Sequence, residues 1–198
     1  MSMDIAEKFR LFPKQHNSHW NIRYGEIEPF FRDGYACVAH GQYLAACLCF
    51  ITGIEMSLRL ALLHKLKLDI RDAWKSKEIG VPLLSNKLLR EAKAISLPVE
   101  ILRFHRDPED SDFLLNLQSD DRFKQAHIVR LRNNICHGNL NIFTKEEDGE
   151  GKIYRSDIEK EARELEEIVI AWGQGYGKWH SDLENETDGP DNARAKID

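Results

Sequence analysis

A chain of 198 residues, 42% hydrophobic and 31% charged, can bury one sizeable core unaided, which excludes a disordered chain and a small stapled domain. Its net charge of −5 excludes bulk attraction to nucleic acid, so any such contact must come from a local basic patch. The four cysteines, Cys37, Cys47, Cys49 and Cys136, lack zinc-finger spacing. Cys47 and Cys49 point to nearly opposite sides of one helix, so all four read as free thiols of a reducing compartment, with no metal and no cofactor.

The opening MSMDIAEKFRLF carries no apolar run of signal-peptide length, and a cytoplasmic protein is expected. Residues 1–25 mix aromatic and polar groups without a period and read as an irregular arm. Glu26 to about His40 reads as a first helix, with Pro29 tolerated in its first turn, and Gly41 marks a bend. From Gly34 to Ile54 no Asp, Glu, Lys or Arg occurs, a length that can cross a bilayer. His40, Gly41 and Gln42 interrupt its centre, and the stretch reads instead as two helices of a soluble core, with no membrane partner. The second of these, Tyr43 to about Leu66, is apolar on most faces and is expected to be the central buried helix.

Residues 70–80 are polar and mixed. Leu83 to Ile95 is amphipathic and helical by pattern, stopped before Pro98. Val99 to Phe104 is apolar, and residues 107–112 (DPEDSD) read as a loop. A helix is expected from about Asp121, with Ile128, Leu131 and Ile135 on its inner face and Gly138 as its stop. Two β-prone runs, NIFT and KIY, flank EEDGEG and predict a short β-hairpin insertion near residues 141–154. Ser156 or Asp157 caps a last long helix whose Ile158, Leu165, Ile168, Val169 and Trp172 face inward. The GQGYG run around Tyr176 lacks the Lys and Ser/Thr of a phosphate loop and reads as a flexible helix terminus. Residues 181–198 read as a disordered tail. The sum is an all-α fold: a helical bundle of four to five helices with that hairpin, one domain over residues 26–180.

The segment RLRNNICHGN sets Arg132, Asn133, Asn134 and His137 within six residues, with further positive charge at Arg122, Lys124 and Arg130. Cleaving a phosphodiester without metal needs such groups: a base for the 2′-hydroxyl, an acid for the leaving oxygen, and a cation for the phosphorane. Histidine titrates nearest neutral pH, and guanidinium grips phosphate in bidentate fashion.

Arg132, four residues and then His137, with the polar Asn133 directly after the Arg, resembles the Arg–x4–6–His motif of the HEPN superfamily. The setting is similar as well: a long apolar helix bearing Glu55 comes earlier, and the motif lies late in the bundle. The resemblance implies a metal-independent endoribonuclease, a toxin or anti-phage defence component, working as a homodimer whose cleft gathers Arg and His from both protomers. It implies Arg132, His137 and Asn133 as catalytic residues, Glu55 and Asn134 in support, and RNA contacts at Arg130, Lys124 and Arg122. Some members of the superfamily only bind RNA or nucleotide, and a structural partner in a toxin–antitoxin pair, with a cognate antitoxin, is the third class.

Helix geometry points to a shared site independently of the resemblance. Residues 132 and 137 lie about 140° apart around one helix, so a two-fold partner is the simplest way to bring an Arg and a His together. The bland readings stand beside these. Arg132 and His137 could be a solvated helix end. Glu55 could hold Arg132 or pair with Arg59 one turn on. His127 reads as surface or core, His40 and His64 as packing or helix-end residues, and His16 and His19 lack metal spacing.

Overall fold

Pro29 in the first turn and Gly41 just past the end bracket the first helix, α1 (Glu28–Ala39). Its Phe31, Gly34, Tyr35 and Val38 recur at helical spacing and are buried. The exit is a Schellman turn: Gly41, at φ +68, donates to Val38 and Gln42 donates to Cys37, a left-handed position that suits glycine. The chain then reverses into α2 (Tyr43–Lys65). The computed structural model describes residues 27–66, 83–119, 124–147 and 150–187; the expected N-terminal arm, the mixed 70–80 stretch and Arg122 lie outside these.

Helix α2 buries residues on nearly every face, from Ala46 to Leu63. By length and composition it could cross a membrane, but here its apolar surface is covered by four other helices. Two of them are α1 and α3 (Asn86–Ala94); the others are α5 (His127–Cys136) and α6 (Arg155–Thr187). The approach to α1 is close because glycines sit at the crossing. A Cβ on Gly34 would collide with the Phe50 ring, and one on Gly53 would come within 2.6 Å of the Phe31 ring. The one buried hydroxyl on α2 is satisfied twice: Ser57 donates to the Ile54 carbonyl at 2.7 Å and accepts from the Trp172 indole at 2.8 Å.

Helix α3 starts at Asn86, later than its apolar pattern suggested, because the Ser85 hydroxyl accepts the Leu88 amide and caps the helix there. It ends in a second Schellman turn in which Ser96, not a glycine, takes the left-handed conformation at φ +66. A 3-10 turn follows at Val99–Leu102. The expected loop 107–112 is a 3-10 turn from Pro108 to Asp112, nucleated when the Asp107 side chain accepts the Glu109 amide. A six-residue helix, α4 (Phe113–Gln118), follows it. The described residues therefore hold six α-helices where four to five were expected, and all-α is the correct class.

After α5, residues Leu140–Phe143 form a 3-10 turn, so the Asn141–Phe143 part of NIFT is not extended. Two four-residue strands, β1 (Thr144–Glu147) and β2 (Glu150–Ile153), pair antiparallel with Thr144 opposite Ile153. The last helix corrects the expected flexible terminus and the start of the expected tail. α6 runs unbroken through the glycine run and on to Thr187. Each glycine in a helix costs about 1 kcal/mol relative to Ala, but Gly175 faces neighbours that need the room. A Cβ on Gly175 would meet Ile101 at 2.6 Å and Pro98 at 2.9 Å. Tyr176 and Trp179 bury beside Trp172, and the Trp179 indole donates to the Ile95 carbonyl at 2.8 Å. Large aromatic burial outweighs the weak local propensity. Ile158 is half-buried, while Leu165, Ile168, Val169 and Trp172 are core residues.

The α1–α2 crossing supplies a test whose sign is decisive. Alanine normally favours a helix over glycine by about 1 kcal/mol, yet overpacking a core costs about 1–3 kcal/mol. Gly53→Ala is therefore expected to lower the unfolding free energy in urea titration. A gain in stability would show that the helices do not approach this closely.

Candidate functional site

Helix α5 carries the Arg–x4–His segment, and two carboxylate systems fix it from different sides. The first starts on α2. Glu55, 12% exposed, lies with its Oε2 3.5 Å from Nε of Arg132, itself 11% exposed. The same oxygen accepts the Leu84 amide at 3.1 Å, and Oε1 takes the Arg59 guanidinium one turn along α2. The two readings of Glu55 thus hold together: it pairs with Arg59 and with Arg132. Two guanidinium groups share one carboxylate.

Asn133 Oδ1 accepts from Arg132 at 3.3 Å, so the amide after the Arg steadies the guanidinium. Asn134 faces the helix end instead. Its side chain accepts from the Asn139 side chain at 3.0 Å and its carbonyl takes the Asn139 amide at 2.8 Å. With Gly138 at φ +69 donating to Ile135, this is a third Schellman turn, and the expected stop at Gly138 falls there. His137 is the C-cap of α5, exposed, and its ring makes no hydrogen bond or ion pair among the described residues. Arg132 and His137 therefore differ in kind: one is a nearly buried, ion-paired group, the other an exposed ring beyond the last turn.

The three basic residues expected to meet RNA do not gather there. Arg122 lies outside the described residues. Lys124 is exposed near the N-terminal end of α5, with about 15 Å of helix between that end and His137. Arg130 is engaged internally: it pairs with Asp107, lies 3.1 Å from Glu109 and donates to the Gln125 carbonyl at 2.8 Å.

The second carboxylate system surrounds His127 at the first turn of α5. Its Nδ1 meets Asp107 at 2.5 Å and its Nε2 meets Glu161 of α6 at 2.9 Å. Phe104 lies against the ring, with centroids 4.2 Å apart. Two carboxylate partners on the two ring nitrogens are the arrangement of an imidazolium, which donates from both. Burial alone favours the neutral ring, but the hydrogen bonds and charge of Glu161 and Asp107 prevail and raise the His127 pKa above its ordinary 6.5. Asp107 responds in kind. Burial pushes its carboxyl up, yet His127, the Glu109 amide and Arg130 together bring it below the usual range.

Asp110, fully buried, completes the clamp by accepting the Phe104 amide and the His127 amide, each at 2.9 Å. It caps α5 across space, because the N-cap residue itself is Ala126. Burial raises the Asp110 pKa despite these bonds. Sequence order hid this cluster, since Asp107 and Glu161 lie 20 and 34 residues from His127. The DPEDSD run was the visible signal, legible as acidic but not as a histidine clamp.

No protein-family profile, curated protein or solved structure matches this chain.

The clamp carries a pH signature of definite sign. A raised histidine pKa adds stability that is complete below about 6.5, the unfolded value, and is lost as pH rises through the folded value. A lowered aspartate pKa adds stability that is complete above about 3.9 and is lost as pH falls through the folded value. Stability is therefore expected to peak in the mildly acidic range and to decline on the alkaline side of 6.5. Thermal unfolding from pH 5 to 9, compared with His127→Gln, reads this directly (roughly the histidine range). An identical alkaline decline in His127→Gln would refute the clamp as its source.

Proposed function

We propose that this chain is a metal-independent endoribonuclease of the HEPN type, a toxin or anti-phage defence component acting as a homodimer. Arg132 offsets charge on the phosphorane, His137 moves a proton as acid or base, and Asn133 orients the guanidinium or the phosphate. One observation carries the reading: Glu55 of α2 and Arg132 of α5 form a nearly buried pair, with His137 exposed one turn further on. A buried guanidinium fixed by a carboxylate is preorganised for phosphate. Arg59 adds a second guanidinium on the same carboxylate. An exposed histidine beyond the helix end is free to meet a substrate, or a second protomer.

A second reading has its own support. Arg130 and Arg132 are both paired with carboxylates within the chain, as in a module that binds RNA or nucleotide without turnover, or in an inert partner of an antitoxin. Turnover separates these from the enzyme.

The enzyme reading requires cleavage of RNA in EDTA, with 2′,3′-cyclic phosphate ends, because the internal 2′-hydroxyl is the nucleophile; DNA should survive. Arg132→Ala and His137→Ala should each lower the rate by a factor of order 10² or more, the usual scale for such groups. The two should differ in stability. His137→Ala should leave the melting temperature unchanged, whereas Arg132→Ala removes a partner from Glu55 and should lower it, so Arg132→Lys is the companion variant. Cleavage that disappears in EDTA and returns with magnesium would point to metal chemistry instead.

The shared cleft is tested by subunit exchange. Arg132→Ala and His137→Ala proteins, each nearly inactive, are mixed and allowed to exchange. A composite site regains part of the wild-type rate, since the heterodimer holds one intact Arg and one intact His from different chains. Continued inactivity despite demonstrated exchange, or a monomer by light scattering, defeats the shared cleft.

A further inference from the structure

We propose that the groove between the ends of α2 and α3 and the second half of α6 binds a small molecule that carries a carboxylate on an apolar body. The groove encloses about 370 Å³, within the roughly 300–1,000 Å³ typical of small-molecule sites. It is separate from the Glu55–Arg132 pair, since none of its lining residues belongs to α5. Pro98, Trp179 and Leu183 supply apolar wall. Beside them, the turn that ends α3 is built against local preference. Ser96 holds the left-handed backbone conformation at φ +66, where a β-carbon is strained and glycine is the ordinary occupant. Ser96 lines the groove, and its hydroxyl makes no hydrogen bond among the described residues. The fold thus gains nothing from this serine that glycine would not give without strain. Strain kept at a residue whose polar group is idle points to a ligand.

The polar groups around the groove decide the sign of that ligand. Its acceptors already have donors. In the α3 turn the Ala92 carbonyl accepts from the Ile95 and Leu97 amides, and the Lys93 carbonyl accepts from the Ser96 amide. The Trp179 indole donates to the Ile95 carbonyl at 2.8 Å. Asp182 is paired at 2.7 Å with Lys178, one turn back along α6. Two donors are left idle. One is the Ser96 hydroxyl; the other is the ammonium of Lys65, exposed in the last turn of α2 and without an ion pair among the described residues. A carboxylate accepts from both and makes a charge-assisted bond with the ammonium. A cation in the same place would meet Lys65 and an acidic group already in use. The apolar body of the ligand covers Pro98, Trp179 and Leu183 and removes their exposed surface from water.

The test titrates the full chain, carrying nitrogen-15 in its tryptophan indoles, with 2-naphthoate as the probe and 2-naphthylmethylamine as its cationic counterpart. The Trp179 indole N–H resonance, assigned by its loss in Trp179→Phe, should shift saturably with the naphthoate and hold still with the amine. The Trp172 indole, bonded to Ser57 in the core, should not move. Lys65→Glu should weaken naphthoate binding about tenfold or more, the scale of losing one hydrogen bond to a charged group, and leave the melting temperature unchanged. Ser96→Gly separates the site from the fold: it should raise the melting temperature by relieving the left-handed strain, yet bind the naphthoate severalfold more weakly. A Trp179 resonance that ignores the naphthoate, equal affinity for the amine, or wild-type affinity in either variant would overturn the proposal. So would a Trp172 shift in step with Trp179, which reports a diffuse change and not a groove. Because Lys65 is a surface residue, its variant gives the answer even if Ser96→Gly disturbs the turn.

Discussion

Helix α2 buries side chains around most of its circumference, and this sets a fixed task for each of its neighbours. A helix with so little face for water must be enclosed, because each buried aliphatic side chain contributes about 1.5–3 kcal/mol only while water is excluded. α1 covers one side through the glycine crossing, α6 brings Trp172 to Ser57, and α3 and α5 close the remainder. Ser57 shows how strict the enclosure is. Its hydroxyl is fully buried and finds both an acceptor and a donor within the fold, as a buried polar group must.

Around that apolar centre, carboxylates organise what helices cannot. Asp110 accepts two amides from separate segments, and Glu164 accepts the amides of His105 and Arg106 at 2.7 and 3.1 Å. Glu55 takes the Leu84 amide. Each fixes an irregular stretch whose backbone donors would otherwise lack partners away from water. α5 is held by two such systems, His127 with Asp107 and Glu161 at its start and Arg132 with Glu55 further along. The helix that bears the proposed site is thus positioned by charge as much as by its buried Ile128, Leu131 and Ile135.

Much of this was legible in the sequence. The periodic apolar runs marked out α1, α2 and the inner face of α6, and Gly41 and Gly138 marked the turns that end α1 and α5 because left-handed backbone has a strong chemical preference. What escaped was whatever depended on distant neighbours. Glycines at 173, 175 and 177 read locally as a helix end, and it takes the burial of Trp172, Tyr176 and Trp179, with Ile101 and Pro98 packed against Gly175, to explain why the helix continues. The residues of DPEDSD read as a loop, yet Asp107 and Asp110 are anchors for a histidine far along the chain. At the site, Glu55 meets Arg132, one of the two partners weighed for it, and Asn133 steadies the same guanidinium, while Arg130 is diverted to Asp107, a partner that no local pattern reveals.

The His137 amide closes the last turn of α5 on the Asn133 carbonyl, but its ring is anchored to nothing among the described residues. A side chain in that position is thermodynamically decoupled from the scaffold that presents it. Selection can therefore exchange it without disturbing the fold, whereas Arg132 cannot change without Glu55 registering the loss. Substitution at residue 137 and substitution at residue 132 are thus borne very differently by one and the same helix.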